Sequence, residues 1–339
     1  MELNILGLES SCDDTSAAVV QNRKILANVT ANQQIHAEYG GVVPELASRA
    51  HQQNIIPVVD TALKKAGLSK KDLHAIAFTS GPGLMGSLLV ATSFAKSLSL
   101  ALNVPLIEVN HMRAHILAHL IEDPEQKTPP FPFLCLTVSG GHTQIVRVDS
   151  PYDMHILGET IDDAAGEAFD KAGKMLGLSY PAGPQIDRLA KKGDPHKFSF
   201  SKARVPELQF SFSGIKTSIL YFLQKQQAQN PNFIAENLPD LCASIQNTIV
   251  EMLYEKVLKA SEQTGIKHLA IAGGVSANSG LRMALKNGEE NGHWQTYFPK
   301  FEYCTDNGAM IAISGYYQYL AKDFVGLEVQ AQARKKITL

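Results

Sequence analysis

The strongest constraint on the fold of this chain is a strand pattern that occurs twice. Apolar segments at 3–9, 17–21 and 25–31 are separated by short polar turns, which predicts three consecutive strands. The same arrangement returns at 133–138, 143–148 and 154–159. The first turn of each copy consists of small polar residues, at 10–16 in one and 139–142 in the other. The repeat predicts a duplicated chain in which each half opens with a three-stranded meander.

Two such halves facing each other describe the architecture of actin, the heat-shock-70 ATPases and the sugar kinases, where paired turns hold a nucleotide's phosphates. The predicted fold class is therefore α/β, with two actin-like (RNase H-like) domains across a nucleotide and metal cleft. Prolines crowd the segment 122–132, and periodicity is lost there, which marks the boundary. The predicted division is an N-terminal domain 1–123, a linker 124–132, a C-terminal domain 133–320 and a frayed tail 321–339.

Composition narrows the class of protein. The 339 residues are 45% hydrophobic and 19% charged, as in soluble globular proteins. No apolar run approaches the ~18 residues of a membrane span, and the first residues lack the basic start of a signal peptide. Four cysteines without paired spacing favour reduced thiols and a cytoplasmic location. Because the net charge is −2, RNA binding would need a local cationic patch or a partner.

A candidate metal site follows the predicted strand 104–109. Asn110 can cap the next helix, which places His111 and His115 on one face at the i and i+4 spacing. Imidazole ligands suit zinc, iron, nickel or copper, although two polar histidines at a helix start explain the pattern equally. The metallopeptidase pattern H-E-x-x-H is absent, because Met112 occupies the position of the glutamate. Asp306 precedes a helix at 309–320, where it is either the helix cap or a third ligand.

Two further turns leave alternatives open. The Ser80–Gly83 turn could let the backbone approach a ligand, or it could form only a tight packing corner. The segment 273–278 ends in Asn278 and fits either a nucleoside cradle or a plain strand–helix turn.

The motifs together resemble one family, the bacterial transferases that make threonylcarbamoyladenosine in transfer RNA. The matching segments occur in the same order across about nine-tenths of the chain: 9–15, 40–48, 80–86, 111–115, 138–144, 161–171, 210–216, 272–278 and 304–312. Two departures are Asp14 in place of the usual glutamate and Ala182 in place of a glycine.

The resemblance implies a set of site residues. The metal would be Fe²⁺, or Zn²⁺, held by His111, His115 and, from the other domain, Asp306. The adenylate, as threonylcarbamoyl-AMP or as ATP or AMP, would lie against Thr137, Val138, Ser139, Gly140 and Gly141. Around its ribose and base would lie Asp170, Gly183, Asp187 and Asn278.

The implied reaction moves threonylcarbamoyl from the adenylate to the exocyclic amine of the adenosine 3′ of the anticodon, in tRNAs that read codons beginning with A. We predict Asp13 as the carboxylate that orients or deprotonates this amine. The implied partners are tRNA, a non-catalytic sister subunit, a small P-loop ATPase and a separate enzyme that supplies the adenylate; no membrane is involved. The alternatives are a non-catalytic scaffold of the same complex and an ATP-dependent phosphotransferase of the same architecture.

Overall fold

The computed structural model describes residues 2–337 and divides into two compact units. We call them the N-terminal unit (Met1–Pro129, Ser150–Met154 and Pro299–Leu339) and the central unit (Pro130–Asp149 and His155–Phe298).

The N-terminal unit is built on a five-stranded sheet with helices packed against it. Its strands are β1 (Asn4–Glu9), β2 (Asp14–Gln21), β3 (Lys24–Asn32), β4 (Ala75–Gly81) and β5 (Leu106–Asn110). Its helices are α1 (Pro44–Ala66), α2 (Met85–Leu102), α3 (His111–Leu117) and, from the C-terminal part of the chain, α9 (Gly308–Leu320). The strand order is β3-β2-β1-β4-β5, with β1 antiparallel to β2 and parallel to β4. β1 and β4 are buried along their whole length, as expected for strands covered on both faces.

The central unit repeats this plan. Its strands are β6 (Phe133–Val138), β7 (Thr143–Val148), β8 (Met154–Glu159), β9 (His268–Ala272) and β10 (Gln295–Tyr297). Its helices are α4 (Ala165–Met175), α5 (Gly183–Ala190), α6 (Ser213–Gln227), α7 (Phe233–Thr264) and α8 (Ser279–Glu290). The strand order is β10-β9-β6-β7-β8, so the meander again lies beside two parallel strands.

The predicted duplication is therefore confirmed by topology. Each sheet has a three-stranded meander whose first strand pairs in parallel with a later strand: β1 with β4, and β6 with β9. The polar turns that prompted the prediction connect β1 to β2 and β6 to β7. We call residues 10–14 the acidic turn and residues 139–142 the glycine turn.

The compact units differ from the predicted division at the C-terminal end. Helix α9 and the residues around it belong to the N-terminal unit, not to the unit that begins near residue 130. Glycines allow the close packing: a Cβ at Gly7 would lie 2.3 Å from the backbone nitrogen of Ala312, and one at Gly308 would lie 2.5 Å from that of Ala18. Asp306 therefore shares a unit with His111 and His115, whereas the sequence placed it in the other domain.

The prediction of a frayed tail is wrong for residues 325–337. Val325 bridges to Leu106, and the backbone N–H of Gln332 donates to the Ser80 carbonyl at 2.7 Å. The Lys335 ammonium lies 2.6 Å from Glu108. A polar tail stays ordered here because backbone carbonyls of β4 and β5 and the half-buried Glu108 carboxylate provide partners for it.

Helix α2 corrects the expectation about apolar segments. Its 18 residues are long and apolar enough to cross a membrane by length and composition alone. The helix packs against α1 and β4 and buries one face that includes Leu88, Ala91 and Ala95. One third of the helix is buried in this packing, while Leu89 and Leu100 on its outer face are exposed.

Candidate metal centre and ligand turns

Helix α3 brings two imidazoles together. The side-chain oxygen of Asn110 accepts the backbone N–H groups of Met112 at 3.0 Å and Arg113 at 3.1 Å, so the predicted cap is confirmed. The rings of His111 and His115 are buried, with centroids 4.7 Å apart and planes at 88°. The i and i+4 spacing thus presents two ring nitrogens to one point.

Asp306 completes this cluster. Its Oδ1 lies 3.1 Å from His115 Nε2 and 3.4 Å from His111 Nε2. The helix cap is instead the neighbouring Asn307, whose Oδ1 accepts the Met310 N–H at 2.9 Å. Because Asn307 caps the helix, the Asp306 carboxylate is able to contact the two histidines. One ligand atom from each of the three residues lies within 4.8 Å of the others, so the cluster could hold a metal ion. Two imidazoles and a carboxylate fit Zn²⁺ or Fe²⁺.

Sequence reasoning missed Glu9, which ends β1 and is fully buried. Its Oε2 lies 3.2 Å from His111 Nδ1 and accepts the Thr79 hydroxyl, while Oε1 accepts the Ser11 N–H. The sequence did contain a signal for this residue, because Glu9 is an acidic residue at the end of an otherwise apolar strand. Such a carboxylate needs a charged or hydrogen-bonded partner in the fold.

The electrostatics of the cluster favour a cation. Burial lowers the pKa of His111, but Asp306 and Glu9 outweigh burial and raise it well above its ordinary value. Burial alone would raise the pKa values of Glu9 and Asp306, yet the attraction of the His111 ring outweighs burial and lowers both pKa values. The N-terminal unit therefore concentrates negative charge from Asp306 and Glu9 around the His111 ring.

Side chains from helices α1 and α2 form hydrogen bonds with the backbone of the acidic turn. His51 of α1 donates from Nε2 to the Cys12 carbonyl at 2.9 Å, and its Nδ1 lies 2.8 Å from the Thr15 hydroxyl. Ser87 of α2 donates to the same Cys12 carbonyl at 3.0 Å. A Cβ at Gly83 would lie 2.5 Å from the Ser11 carbonyl oxygen, so the Ser80–Gly83 turn is a packing corner.

The carboxylates of the acidic turn differ in environment. Asp14 accepts the Asn32 amide at 2.7 Å, and burial, followed by repulsion from Asp306 and Asp13, raises its pKa to about 7. Asp13 is partly buried. Burial, with the negative charge of Asp13 and Asp306, also raises the pKa of the Cys12 thiol, so this cysteine is not a thiolate nucleophile. All four cysteines are free thiols.

The glycine turn of the central unit is open and uncharged by comparison. Ser139 and His142 close it through a backbone hydrogen bond of 2.8 Å, and the N-terminal end of α4 packs on it from Gly166. A Cβ at Gly140 or Gly141 would meet no atom within 4 Å. The turn thus has free space beside its backbone. The strand residues before it, Thr137 and Val138, are fully buried and pair with neighbouring strands, so they support the turn from within the sheet.

Three of the remaining predicted residues of the central unit each accept a backbone N–H, and the fourth, Gly183, begins α5. Asp170 Oδ1 accepts the Ala182 N–H at 2.8 Å, Asp187 Oδ1 accepts the Ser279 N–H at 3.0 Å, and Asn278 Oδ1 accepts the Leu281 N–H at 2.9 Å. Burial raises the pKa of Asp170, while N–H groups of Ala182 and Gly183 oppose that rise.

The glycine turn and the segment 273–278 lie at the same end of the second sheet. Thr137 pairs with Ala272 in parallel register, so the glycine turn and the segment 273–278 leave the same edge side by side. A Cβ at Gly273, where φ is +86°, would lie 2.5 Å from the Val138 carbonyl oxygen. The segment 273–278 therefore packs tightly on the start of the glycine turn.

Comparison with known proteins decides the family. The family model of tRNA N6-adenosine threonylcarbamoyltransferase (TsaD) matches residues 24–313. The proteins of that name from Christiangramia forsetii and Riemerella anatipestifer are 62% and 59% identical to the chain over 335 residues, which is 99% of this chain and 98% of each relative. The chain belongs to the tRNA N6-adenosine threonylcarbamoyltransferase family.

Solved structures agree on the fold of this chain. Full-length HypF, in a phosphate- and nucleotide-bound form, has a TM-score of 0.62 at 13% identity, over 94% of this chain and 47% of HypF. A ROK hexokinase from Thermus thermophilus has a TM-score of 0.50 at 14% identity, over 95% and 99% of the two chains. At these identities the likeness shows fold alone. It confirms the predicted α/β class with two actin-like domains.

Proposed function

We propose that this chain transfers the threonylcarbamoyl group from threonylcarbamoyl-AMP to N6 of the adenosine 3′ of the anticodon, in tRNAs that read codons beginning with A, and releases AMP. The observation that carries the proposal is the intact cluster of His111, His115 and Asp306 in a chain of the threonylcarbamoyltransferase family. A non-catalytic scaffold would have no need to hold two imidazoles and a carboxylate within 4.8 Å of one another.

The proposed cofactor is one divalent cation, Fe²⁺ or Zn²⁺, held by His111, His115 and Asp306. Support comes from the burial of the two histidines and from the negative charge that Asp306 and Glu9 concentrate on His111. When bound, such a cation supplies Lewis-acid stabilisation of anionic charge on the substrate.

The proposed adenylate site is the glycine turn, with Thr137 and Val138 leading into it and Asp170, Gly183, Asp187 and Asn278 around ribose and base. Consecutive backbone N–H groups in a turn attract phosphate, and the absence of Cβ atoms at Gly140 and Gly141 lets a phosphate approach. Asp170 and Asp187 each use the Oδ1 atom in the backbone contacts described above, and Asp187 Oδ2 lies 3.8 Å from the Lys191 ammonium. We propose that ribose hydroxyls donate to these carboxylates beside the existing contacts.

The proposed chemistry is direct acyl transfer. The N6 amine attacks the carbamoyl carbon, a new N–C bond forms, and the C–O bond to the AMP phosphate breaks. The amine proton leaves to a carboxylate, for which we propose Asp13. Because an exocyclic amine is a weak nucleophile, positioning by the turns and stabilisation of the leaving phosphate supply most of the rate.

The reaction is tested by reconstitution. The purified chain, a sister subunit, a small P-loop ATPase, pre-made threonylcarbamoyl-AMP and unmodified tRNA should yield modified tRNA and AMP. We place these components in the cytoplasm. Mass spectrometry of nucleosides from the digested tRNA provides the measurement. A reaction without threonylcarbamoyladenosine, in which ATP is instead converted to ADP on a small molecule, would favour a phosphotransferase.

Binding of tRNA gives a second measurement. The net charge is −2, so this chain alone should bind tRNA weakly, and the binding should fall steeply as salt rises. The partners should strengthen it. Tight, salt-independent binding by the isolated chain would contradict this part of the proposal.

A further inference from the structure

Glu9 is a buried carboxylate for which the proposed reaction has no direct use. Its side chain is fully buried, and three donors surround it: the His111 ring at 3.2 Å, the Thr79 hydroxyl and the Ser11 backbone N–H. These donors come from α3, from β4 and from the acidic turn. Glu9 therefore joins three segments of the N-terminal unit at the ring of one proposed metal ligand.

We propose that Glu9 is the positioning residue of the metal centre: it accepts the Nδ1–H of His111 and so directs the Nε2 atom of that ring toward Asp306 and the metal. The inference rests on the proposed metal site. A histidine that binds a metal through one nitrogen commonly donates the other N–H to a carboxylate, which fixes the ring and makes it a stronger ligand. Glu9 does not touch the substrate or the metal in this role.

The hydroxyl of Ser11 is the competing acceptor, since it also lies 3.2 Å from His111 Nδ1. Two observations favour the carboxylate. A bond from an imidazole to a carboxylate is charge-assisted and about twice as strong as a neutral one. Glu9 is also held in place by Ser11 N–H and Thr79, so its oxygen is already aimed when the ring approaches.

The second histidine lacks this support. The Nδ1 atom of His115 is buried and has no hydrogen-bond partner among the residues that the structure describes. The two proposed ligands are therefore unequal, and only the ring of His111 has a carboxylate behind it. Loss of Glu9 should weaken the metal centre through His111 alone.

The test measures zinc and cobalt affinity of the full-length chain by chelator competition. In Glu9→Gln, an amide replaces the carboxylate and cannot accept from all three donors. We expect about 10- to 100-fold weaker binding, the usual effect of removing such an outer partner. The matched control Ser11→Ala removes the competing hydroxyl but keeps the backbone N–H that holds Glu9, and it should stay close to wild type. Equal affinity of Glu9→Gln and wild type, or an equal loss in Ser11→Ala, would overturn the inference.

A second measurement does not depend on metal or on the stability of Glu9→Gln. In ¹⁵N-histidine-labelled wild-type protein, the buried Nδ1–H of His111 should give a downfield, slowly exchanging proton signal that Ser11→Ala retains. Its absence from wild type, or its loss in Ser11→Ala, would show that Glu9 does not hold this ring. Failure of the wild-type chain to bind zinc or cobalt would instead contradict the proposed metal site, while the ring signal still reports on the Glu9 contact.

Discussion

The acidic turn and the glycine turn occupy equivalent places in the two repeats, yet their chemistry is opposite. Each connects the first two strands of a meander. The acidic turn carries Asp13 and Asp14 and is tied down by His51 and Ser87. The glycine turn has no charged side chain at 139–141 and has free space beside its backbone. One topology thus provides two carboxylates near the proposed cation site in one unit, and backbone N–H groups suited to an anion in the other.

The largest effect should come from the metal cluster beside the acidic turn. In the double variant His111→Ala, His115→Ala, both proposed imidazole ligands are gone, and we expect bound metal and transferase activity to fall to background. Metal analysis and the reconstituted assay provide the measurement. The control Glu302→Ala removes an exposed carboxylate of the same unit and should leave both unchanged. Full metal occupancy in the double variant would refute the cluster as a metal site.

The glycine turn should show the next largest effect, confined to nucleotide binding. Gly140→Val places a branched side chain in the space where a phosphate would lie, and we expect about 100-fold weaker adenylate binding, or ~2.7 kcal/mol. Calorimetry measures the affinity. Gly214→Val is the matched control, because a Cβ there also meets little, its nearest neighbour being Ala203 at 3.7 Å. Equal affinity of Gly140→Val and wild type would make this turn purely structural.

The third prediction concerns the charge of the acidic turn without metal. The pKa of Asp14 is raised to about 7 from 3.8 by burial and then by Asp306 and Asp13. The folded protein holds this proton more tightly than the unfolded chain does. The associated stability is therefore fully present below pH 3.8 and is lost as the pH rises through about 7. Above pH 7 the ionised carboxylate destabilises the fold.

Asp14→Asn removes that dependence. We compare the free energies of unfolding of the variant and the wild type, both in a chelator. From pH 5 to pH 8 their difference should shift in favour of the variant by on the order of 2 kcal/mol, since partial exposure reduces the full effect. Urea unfolding at the two pH values measures it. Zinc should shrink the difference, because a nearby cation stabilises the Asp14 carboxylate in the wild type. An identical pH dependence of the two proteins in chelator would contradict the raised pKa.

The smallest effect should come from the tail, which supports the first repeat alone. Lys335 pairs with Glu108 and with the Ser80 hydroxyl at 2.9 Å. Lys335→Ala should lower the free energy of unfolding by about 0.5–1 kcal/mol, as for a partly screened ion pair. Lys336→Ala keeps the backbone carbonyl that accepts from Asn110 at 2.8 Å and is the matched control. Equal unfolding midpoints for the two variants would show that the Lys335 pair contributes nothing.

Local sequence determined the elements and the candidate ligands. Hydrophobic periodicity located both meanders, because the strand period is a property of a short segment. The cap at Asn110 and the histidine spacing were equally local, so the two imidazoles on α3 were predictable. The family resemblance supplied Asp306, which lies about 190 residues away and which no local pattern links to them.

Only the tertiary structure decided how distant segments combine. It assigned α9 to the N-terminal unit, because glycines at 7 and 308 permit backbone contact that no composition shift announces. It settled that Asn307 caps α9 while Asp306 meets the histidines. It also revealed Glu9 behind His111. The physical reason is the same each time: a hydrogen-bond partner or a close packing contact is set by the folded path of the chain, whereas capping and periodicity are set within a few residues.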